Sequence, residues 1–205
     1  MIKLIIFDLD GVLVDTKKNH FDALNKALLK VKDIKISLKD HLTKYDGLPT
    51  KTKLNYLVDD KKIYKKDIKK IISLKNFYTN RLLNENIKYS KQTYNLFKKL
   101  HKKGYTLCIA TNAIRKTLNL CIKRLKINKF LSYKLSNEDI RSAKPHPEIY
   151  IKIISETGFK PSETLVLEDS SAGRKAAQEA NVNLMTINDL KDVNYDNITT
   201  KIDNE

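Results

Sequence analysis

Cysteine and long apolar segments are scarce in this 205-residue sequence. No run approaches the roughly 20 consecutive apolar residues of a membrane-spanning helix, so we expect no membrane partner. Met1-Ile2-Lys3 leads directly into a strand-like run, so we expect no signal peptide. The two cysteines, Cys108 and Cys121, lie in an apolar strand-like run and in a helical pattern. We therefore predict reduced, structural thiols in a cytoplasmic protein.

Arginine is also scarce, although the chain is strongly basic. The net charge is +16 at pH 7, yet of the 40 basic residues only Arg81, Arg115, Arg124, Arg141 and Arg174 are arginines. Lysine lacks the bidentate fork that favours specific recognition of phosphate and nucleic acid. The lysines are spread widely, apart from the repeated pairs Lys61-Lys62, Lys65-Lys66 and Lys69-Lys70. We interpret most of these lysines as solvent-exposed surface residues and do not expect nucleic acid as a partner.

Two carboxylates follow the first apolar run of the chain. Residues 4–7 are apolar and rich in β-branched side chains, and Asp8, Asp10 and Gly11 come next. This pattern predicts a buried parallel strand whose carboxyl end faces a ligand crevice. Adjacent carboxylates repel each other unless a cation or a shared proton compensates. Mg²⁺ binds carboxylate, water and phosphate oxygens, so the pair indicates a magnesium site and phosphoryl chemistry; a strand end with solvated acids is the alternative.

The rest of the chain separates into a helical part and an alternating part. Residues 16–88 show helical periodicity, with Gly47-Leu48-Pro49 as a break between elements. Later apolar runs predict strands at 105–110, 131–135, 164–167 and 182–187, with helices between them. The tail after Asn188 is polar, and we expect it to fray without a final helix. This order predicts an α/β fold with a parallel sheet and a helical insertion after the first strand.

Polar side chains follow three of the predicted strands. Asp8 and Asp10 follow the first, Thr111 follows the second, and Glu168-Asp169 follow the fourth, with Lys144 before an intervening helix. Because the carboxyl ends of parallel strands meet at one edge of a sheet, we expect these side chains to converge.

This order resembles the haloacid dehalogenase superfamily. Its phosphatases carry an acidic D-x-D motif, a Ser/Thr motif, a Lys motif and a paired-acid motif in that sequence. The corresponding segments here are Asp8-Leu9-Asp10-Gly11, Thr111-Asn112, Lys144-Pro145 and Glu168-Asp169, and the resemblance covers nearly the whole chain. It implies a Rossmann-like catalytic core, a parallel sheet flanked by helices, formed by residues 1–15 and 89–205, with a small helical cap at residues 16–88.

The resemblance also implies catalytic roles. Asp8 would attack phosphorus and become an aspartyl phosphate. Asp10 would protonate the leaving oxygen and later activate water. Thr111 would donate a hydrogen bond to a phosphoryl oxygen, and Lys144 would offset the charge of the equatorial oxygens.

The metal and substrate ligands follow from the same resemblance. Asp8 and Asp169 would bind Mg²⁺ through carboxylates and Asp10 through its carbonyl. Glu168 is a metal ligand candidate that binds directly, through water, or as an anchor behind the ligands. The predicted substrate-binding residues are Thr16, His20, Lys75 and Asn112; an ordinary helix residue and a solvated lysine are the alternatives for His20 and Lys75.

We therefore predict a magnesium-dependent phosphomonoester hydrolase that acts through an aspartyl phosphate on a small phosphorylated metabolite such as a sugar phosphate. Superfamily members that cleave carbon–halogen or phosphonate bonds lack the second acid, so Asp10 favours phosphate esters. The chain is a monomer or a homodimer in this prediction.

Two alternatives stay open. A β-phosphoglucomutase-like enzyme shares Asp8, Asp10, Thr16, His20 and Lys75. That mutase would want an arginine soon after the cap glycine, where this chain has Gly47-Leu48-Pro49-Thr50-Lys51, and a Pro-Gly near residues 90–93. The other alternative is a non-catalytic, lysine-rich protein that binds polyanions and carries vestigial acids.

Overall fold

A five-stranded parallel β-sheet forms the centre of the computed structural model, which describes residues 1–45 and 48–205. The strands are β1 (Leu4–Phe7), β2 (Thr106–Ala110), β3 (Leu131–Leu135), β4 (Thr164–Glu168) and β5 (Asn183–Thr186). Their order across the sheet is β3-β2-β1-β4-β5, and every pairing is parallel. Strands β1 and β4 are buried along their whole length, which explains their continuous apolar sequence. The predicted α/β parallel sheet is confirmed.

Helices connect the strands and follow the last one. They are α1 (Lys17–Lys32), α2 (Leu38–Leu42), α3 (Thr50–Asp59), α4 (Ile68–Asn86), α5 (Lys91–Lys102), α6 (Arg115–Leu125), α7 (Glu148–Thr157), α8 (Ser171–Glu179) and α9 (Tyr195–Asp203). None of these helices is both long enough and apolar enough to cross a membrane.

The two faces of the sheet pack into separate hydrophobic clusters because successive strand residues point to opposite sides. Ile5 and Phe7 face a cluster that also holds residues of α5, α6 and α9. Leu4 and Ile6 face a second cluster with residues of α7 and α8. The sheet is therefore covered on both faces, as a buried parallel sheet requires.

Helices α1 to α4 form the segment between β1 and α5, which we call the helical insertion. It has a hydrophobic cluster of its own, in which Leu28, Leu54 and Ile71 are fully buried. No strand occurs among the described residues between α1 and α4. The assignment of residues 16–88 to a cap domain stays a prediction, and the predicted break at Gly47 lies outside the described residues.

The prediction for the carboxyl-terminal tail was wrong. The tail ends in a helix, α9, rather than fraying. The Asn194 side chain accepts a hydrogen bond from the Asn197 backbone N–H at 2.9 Å, which caps the first turn. Ile198 and Ile202 lie four residues apart and are buried in the cluster shared with α5 and α6. Two apolar residues at helical spacing therefore anchor a segment whose composition is otherwise polar.

Candidate active site

Strands β2, β1 and β4 are neighbours, so their carboxyl ends bring the predicted residues together. Asp8 follows β1, Thr111 follows β2, and Glu168 is the last residue of β4 with Asp169 next to it. Lys144 enters from the chain between β3 and α7 and reaches the Asp8 carboxylate. The sequence-based expectation of convergence at one edge therefore agrees with the observed positions.

Three carboxylates crowd at this edge. Asp8, Glu168 and Asp169 each offer an oxygen, and these oxygens lie within 4.8 Å of one another. Burial and the neighbouring Glu168 raise the pKa of Asp8, while the charge of Lys144 opposes the shift. The Lys17 ammonium also lies 2.8 Å from Asp169 Oδ2. A donor set made only of carboxylate oxygens fits a hard divalent cation such as Mg²⁺.

Two glycines make room for Glu168 and Asp169, the acids at the carboxyl end of β4. Gly11 has a φ of 88°, and a Cβ there would lie 2.0 Å from Asp169 Oδ2. A Cβ on Gly173, in the first turn of α8, would lie 2.0 Å from Glu168 Oε2. Any larger residue would therefore displace a carboxylate. Gly11 faces the additional constraint of a backbone conformation that L-residues rarely adopt.

Lys144 links two of the acids. Its ammonium donates hydrogen bonds to Asp8 Oδ1 at 2.7 Å, to Glu168 Oε1 at 2.5 Å and to the carbonyl of Ala110 at 2.7 Å. The side chain is only 2% exposed. Burial acts to lower the pKa of Lys144, but the charges of Asp8 and Glu168 outweigh it and raise the pKa. The lysine is therefore a fixed positive charge beside Asp8.

Thr111 and Asn112 follow β2 and line the cavity on the side of β1 away from β4. The backbone N–H of Ala113 donates to Thr111 Oγ1 at 3.0 Å, which leaves the hydroxyl proton of Thr111 to donate. Asn112 binds both backbone groups of Lys144: Oδ1 accepts from its N–H at 3.0 Å, and Nδ2 donates to its carbonyl at 3.1 Å. Asn112 thus fixes the main chain from which the Lys144 side chain extends.

Asp10 is held by residues of the helical insertion and the turn before it. Asp10 Oδ1 accepts a hydrogen bond from Thr16 Oγ1 at 2.5 Å and lies 3.3 Å from His20 Nε2. His20 Nδ1 in turn lies 3.2 Å from the Lys75 ammonium, at which it can only accept. His20 therefore presents its Nε2–H to Asp10. Thr16 and His20 therefore contact the Asp10 carboxylate directly, and Lys75, on α4, contacts it only through His20.

The pKa values of Lys75, His20 and Asp10 are all lowered, but the causes differ. Burial, and then the charge of Lys53, lowers the pKa of Lys75 to about 8. Burial and Lys75 lower the pKa of His20. Burial acts to raise the pKa of Asp10, but His20, Thr16 and Lys75 outweigh it and lower the pKa. Asp10 is therefore ionised and accepts hydrogen bonds in this arrangement.

Several residues of the site were missed by the sequence analysis. The hydroxyl of Tyr150, on α7, donates a short hydrogen bond to Glu168 Oε1. Lys17 contacts Asp169, and His41 and Lys53 line the cavity described below. These residues lie on helices whose orientation toward the strand ends has no signal in the sequence, except that Lys17 directly follows Thr16.

A cavity of about 110 Å³ opens between the strand ends and the helical insertion. The side formed by the strand ends contributes the acids and Lys144, whereas the described residues of the insertion that line the cavity include no carboxylate. The polar side chains on the insertion side include His20, His41, Lys53 and Lys75. A ligand in this cavity would meet acids at one end and ammonium and imidazole groups at the other.

Comparisons with known proteins agree with this arrangement. A family model for haloacid dehalogenase-like hydrolases matches residues 5–187. The chain is 26% identical over 187 residues to a phosphorylated carbohydrates phosphatase of Thermotoga maritima, covering 88% of this chain and 82% of that protein. It is 27% identical over 169 residues to the pyrophosphatase PpaX of Anoxybacillus flavithermus, covering 82% and 75%.

A solved structure resembles the whole chain. The β-phosphoglucomutase from Clostridium difficile superposes with a TM-score of 0.85 at 23% identity, covering 100% of this chain and 98% of that one. This similarity shows a common fold.

Proposed function

The chain belongs to the haloacid dehalogenase-like hydrolases, and on that premise we propose that it is a magnesium-dependent phosphomonoester hydrolase that acts through an aspartyl phosphate on Asp8. The observation that carries the proposal is the environment of Asp8, which is 7% exposed and offers a carboxylate oxygen within 4.8 Å of oxygens of Glu168 and Asp169. Lys144 contacts the same carboxylate at 2.7 Å. The Lys144 charge opposes the rise in the pKa of Asp8 and so favours the ionised carboxylate, which is the form that attacks phosphorus.

Asp8 and Asp169 would hold Mg²⁺ through carboxylates, together with the carbonyl of Asp10. When bound, the ion would neutralise phosphoryl oxygens and orient the phosphate for in-line attack. The Glu168 carboxylate already accepts hydrogen bonds from Lys144 and Tyr150. We therefore assign Glu168 to the anchoring of Lys144, one of the three roles that the sequence left open.

Asp10 is the proposed acid and base. Its hydrogen bonds with Thr16 and His20 stabilise the ionised carboxylate, which is the form that accepts a proton from water. To protonate a leaving oxygen, Asp10 must first leave these contacts and take up a proton. Thr16 and His20 are therefore proposed to position Asp10. Thr111 and Lys75 are proposed to bind phosphate oxygens, and Asn112 to position Lys144.

The proposed substrate is a small phosphorylated carbohydrate. The Thermotoga maritima relative is named as a phosphatase of phosphorylated carbohydrates, and the second relative as a pyrophosphatase. The cavity of about 110 Å³ provides polar groups on the side opposite the acids, where the hydroxyls of a sugar can bind.

The test is hydrolysis of a phosphomonoester panel, including glucose 6-phosphate and ribose 5-phosphate, with Mg²⁺. We expect phosphate release that disappears with EDTA and in Asp8→Asn. Asp59→Asn is the matched control, because Asp59 is exposed and lies outside the site. Full activity of Asp8→Asn would contradict the proposal. A non-catalytic, polyanion-binding protein predicts no turnover in any of these reactions.

A phosphosugar mutase is the second candidate, and the fold match to a β-phosphoglucomutase over the whole chain favours it. The reactions separate when glucose 1-phosphate is supplied with a trace of glucose 1,6-bisphosphate. A mutase yields glucose 6-phosphate, whereas the phosphatase yields free phosphate. We expect free phosphate, since the residues Thr50 and Lys51 stand where the mutase pattern requires an arginine.

A further inference from the structure

Tyr150 is a buried tyrosine beside the acids, and its hydroxyl has no part in the chemistry proposed above. It lies in the first turn of α7 and is 0% exposed, as is Glu168. The hydroxyl donates a hydrogen bond to Glu168 Oε1, and the centre of the ring lies 5.0 Å from the Lys144 ammonium. One side chain of α7 therefore contacts both members of the Lys144–Glu168 pair.

The Tyr150 hydroxyl acts as the donor in this contact. Burial, followed by the charges of Glu168 and Asp8, raises the pKa of Tyr150 well above its ordinary value. The hydroxyl therefore keeps its proton near pH 7 and can donate it to a carboxylate oxygen. Because a buried carboxylate requires hydrogen-bond donors, this contact is part of what holds Glu168.

Glu168 is held at both of its carboxylate oxygens. Oε1 accepts hydrogen bonds from Lys144 at 2.5 Å and from Tyr150, which fill the two lone pairs of that oxygen. Oε2 accepts from the Ser170 hydroxyl at 3.4 Å and lies against Gly173, where a Cβ would be 2.0 Å away. The carboxylate therefore has a fixed position, and the position of Lys144 depends on it.

The three N–H donors of the Lys144 ammonium are all engaged. They bind Asp8 Oδ1 at 2.7 Å, Glu168 Oε1 at 2.5 Å and the Ala110 carbonyl at 2.7 Å. Removal of the Tyr150 hydroxyl would leave one acceptor position of a buried carboxylate empty, which is costly. Lys144 is the neighbouring cation that can compensate, and movement of its ammonium toward Glu168 weakens the contact with Asp8.

We propose that Tyr150 is a positioning residue, whose hydroxyl fixes Glu168 so that the Lys144 ammonium stays on the Asp8 carboxylate. This inference rests on the phosphatase function proposed above and adds a residue on which its rate depends. Tyr150 is not among the described residues that line the cavity, so it acts through Glu168 and Lys144 and not by contact with the substrate.

The first measurement compares kcat and KM of the wild type and Tyr150→Phe, with Mg²⁺ and the best substrate of the phosphomonoester panel. The variant keeps the ring and removes only the hydroxyl. We expect kcat to fall by about tenfold, because loss of a group that orients an active-site residue costs roughly 10- to 100-fold in activity. KM should stay within about twofold, since the contact that is lost stabilises the transition state and not the bound substrate.

The second measurement separates positioning from a merely structural role. Vanadate adopts the trigonal-bipyramidal geometry of the phosphoryl-transfer transition state, whereas inorganic phosphate resembles the ground state. In Tyr150→Phe we expect the inhibition constant of vanadate to rise by about tenfold and that of phosphate to stay within about twofold. A variant that is only less stable has fewer folded molecules, and this changes neither inhibition constant.

Tyr105→Phe is the matched control. Tyr105 is half-buried and directly precedes β2, so it lies at the opposite edge of the sheet from Thr111. Loss of its hydroxyl should change neither kcat nor the two inhibition constants. Circular dichroism under the assay conditions gives the folded fraction to which each kcat is referred.

The outcomes are distinguishable. If Tyr150→Phe has the kcat of the wild type, or if its kcat falls while the inhibition constant of vanadate is unchanged, the positioning role is overturned and the phosphatase function stands. If the wild type releases phosphate from none of the esters, the phosphatase function is overturned together with the role of Tyr150.

Discussion

At the scale of single residues, the Lys144 ammonium compensates the charges of two carboxylates in the site. Its ammonium is hydrogen-bonded to Asp8 and Glu168, and all three side chains are buried. Removal of a buried cation leaves the two carboxylates uncompensated, which costs far more than the loss of an exposed ion pair. The same side chain therefore contributes to stability and to the ionised state of Asp8.

Substitution Lys144→Met should abolish phosphatase activity and lower the free energy of unfolding by about 3–5 kcal/mol. Urea unfolding followed by circular dichroism measures the stability, and phosphate release measures the activity. Lys26→Met is the control, because Lys26 is exposed on α1 and away from the acids. Unfolding free energies that agree between the two variants would contradict the account of Lys144.

Gly11 and Gly104 allow a comparison of steric clash with backbone strain. Their φ angles are 88° and 89°, but a Cβ would lie 2.0 Å from Asp169 Oδ2 at Gly11 and would meet nothing within 4 Å at Gly104. We expect Gly104→Ala to cost about 1–2 kcal/mol with normal activity, since only the backbone conformation is unfavourable. Gly11→Ala should lose activity as well, because Asp169 must move. Activity in Gly11→Ala equal to that in Gly104→Ala would show that this clash is relieved without harm.

The residues of the site differ in whether the sequence pattern predicts their place in it. Asp8, Asp10, Thr111 and Asp169 directly follow strands or their turns, so the apolar pattern of the strands predicts their positions. Tyr150 and His41 lie on helices, and whether either faces the site depends on how the helix is rotated and docked. Sequence periodicity alone does not determine that rotation.

At the scale of secondary-structure elements, α9 is the clearest difference between expectation and structure. The helix is short, and its stability depends on burial of Ile198 and Ile202 and on the Asn194 cap. Composition suggested fraying because most of the segment is polar. The strands were easier to predict, since β1 and β4 are buried on both faces and therefore read as continuous apolar runs.

Ile198→Ala tests whether α9 belongs to the folded core. Ile198 is 0% exposed, so truncation should lower the free energy of unfolding by about 2–5 kcal/mol. Thr200→Ala, on the exposed face of the same helix, should change it by less than about 0.5 kcal/mol. A chemical denaturation series compares the two. If Ile198→Ala unfolds at the wild-type denaturant concentration, α9 contributes nothing to the core.

At the scale of the whole molecule, strand order explains how distant parts of the chain form one site. Residues 8, 111 and 169 lie far apart in sequence, yet β2, β1 and β4 are adjacent in the sheet. The helical insertion then supplies His20, which contacts Asp10, and Lys75, which contacts His20. The chain as a whole carries a net charge of +16, but the charges around the cavity are divided by sign. The acids lie at the strand ends together with Lys144, and the insertion side carries Lys53 and Lys75 without any carboxylate among its described lining residues.

The sheet, the helical insertion and the acids could be predicted because each has a local pattern in the sequence. The shape of the cavity could not, because it depends on how the insertion packs above the strand ends. His41 illustrates this limit. Its side chain lines the cavity, and this position becomes visible only when α1, α2 and the strand ends are seen together.

The central claim is that Asp8 becomes phosphorylated, and the most direct measurement is chemical trapping during turnover. Borohydride reduces an aspartyl phosphate to homoserine, which peptide mass spectrometry locates in the chain. With a hydrolysed phosphate ester and Mg²⁺, we predict homoserine at position 8 and none with EDTA. Turnover without any reduction product at position 8, or with the product at another carboxylate, would contradict the account.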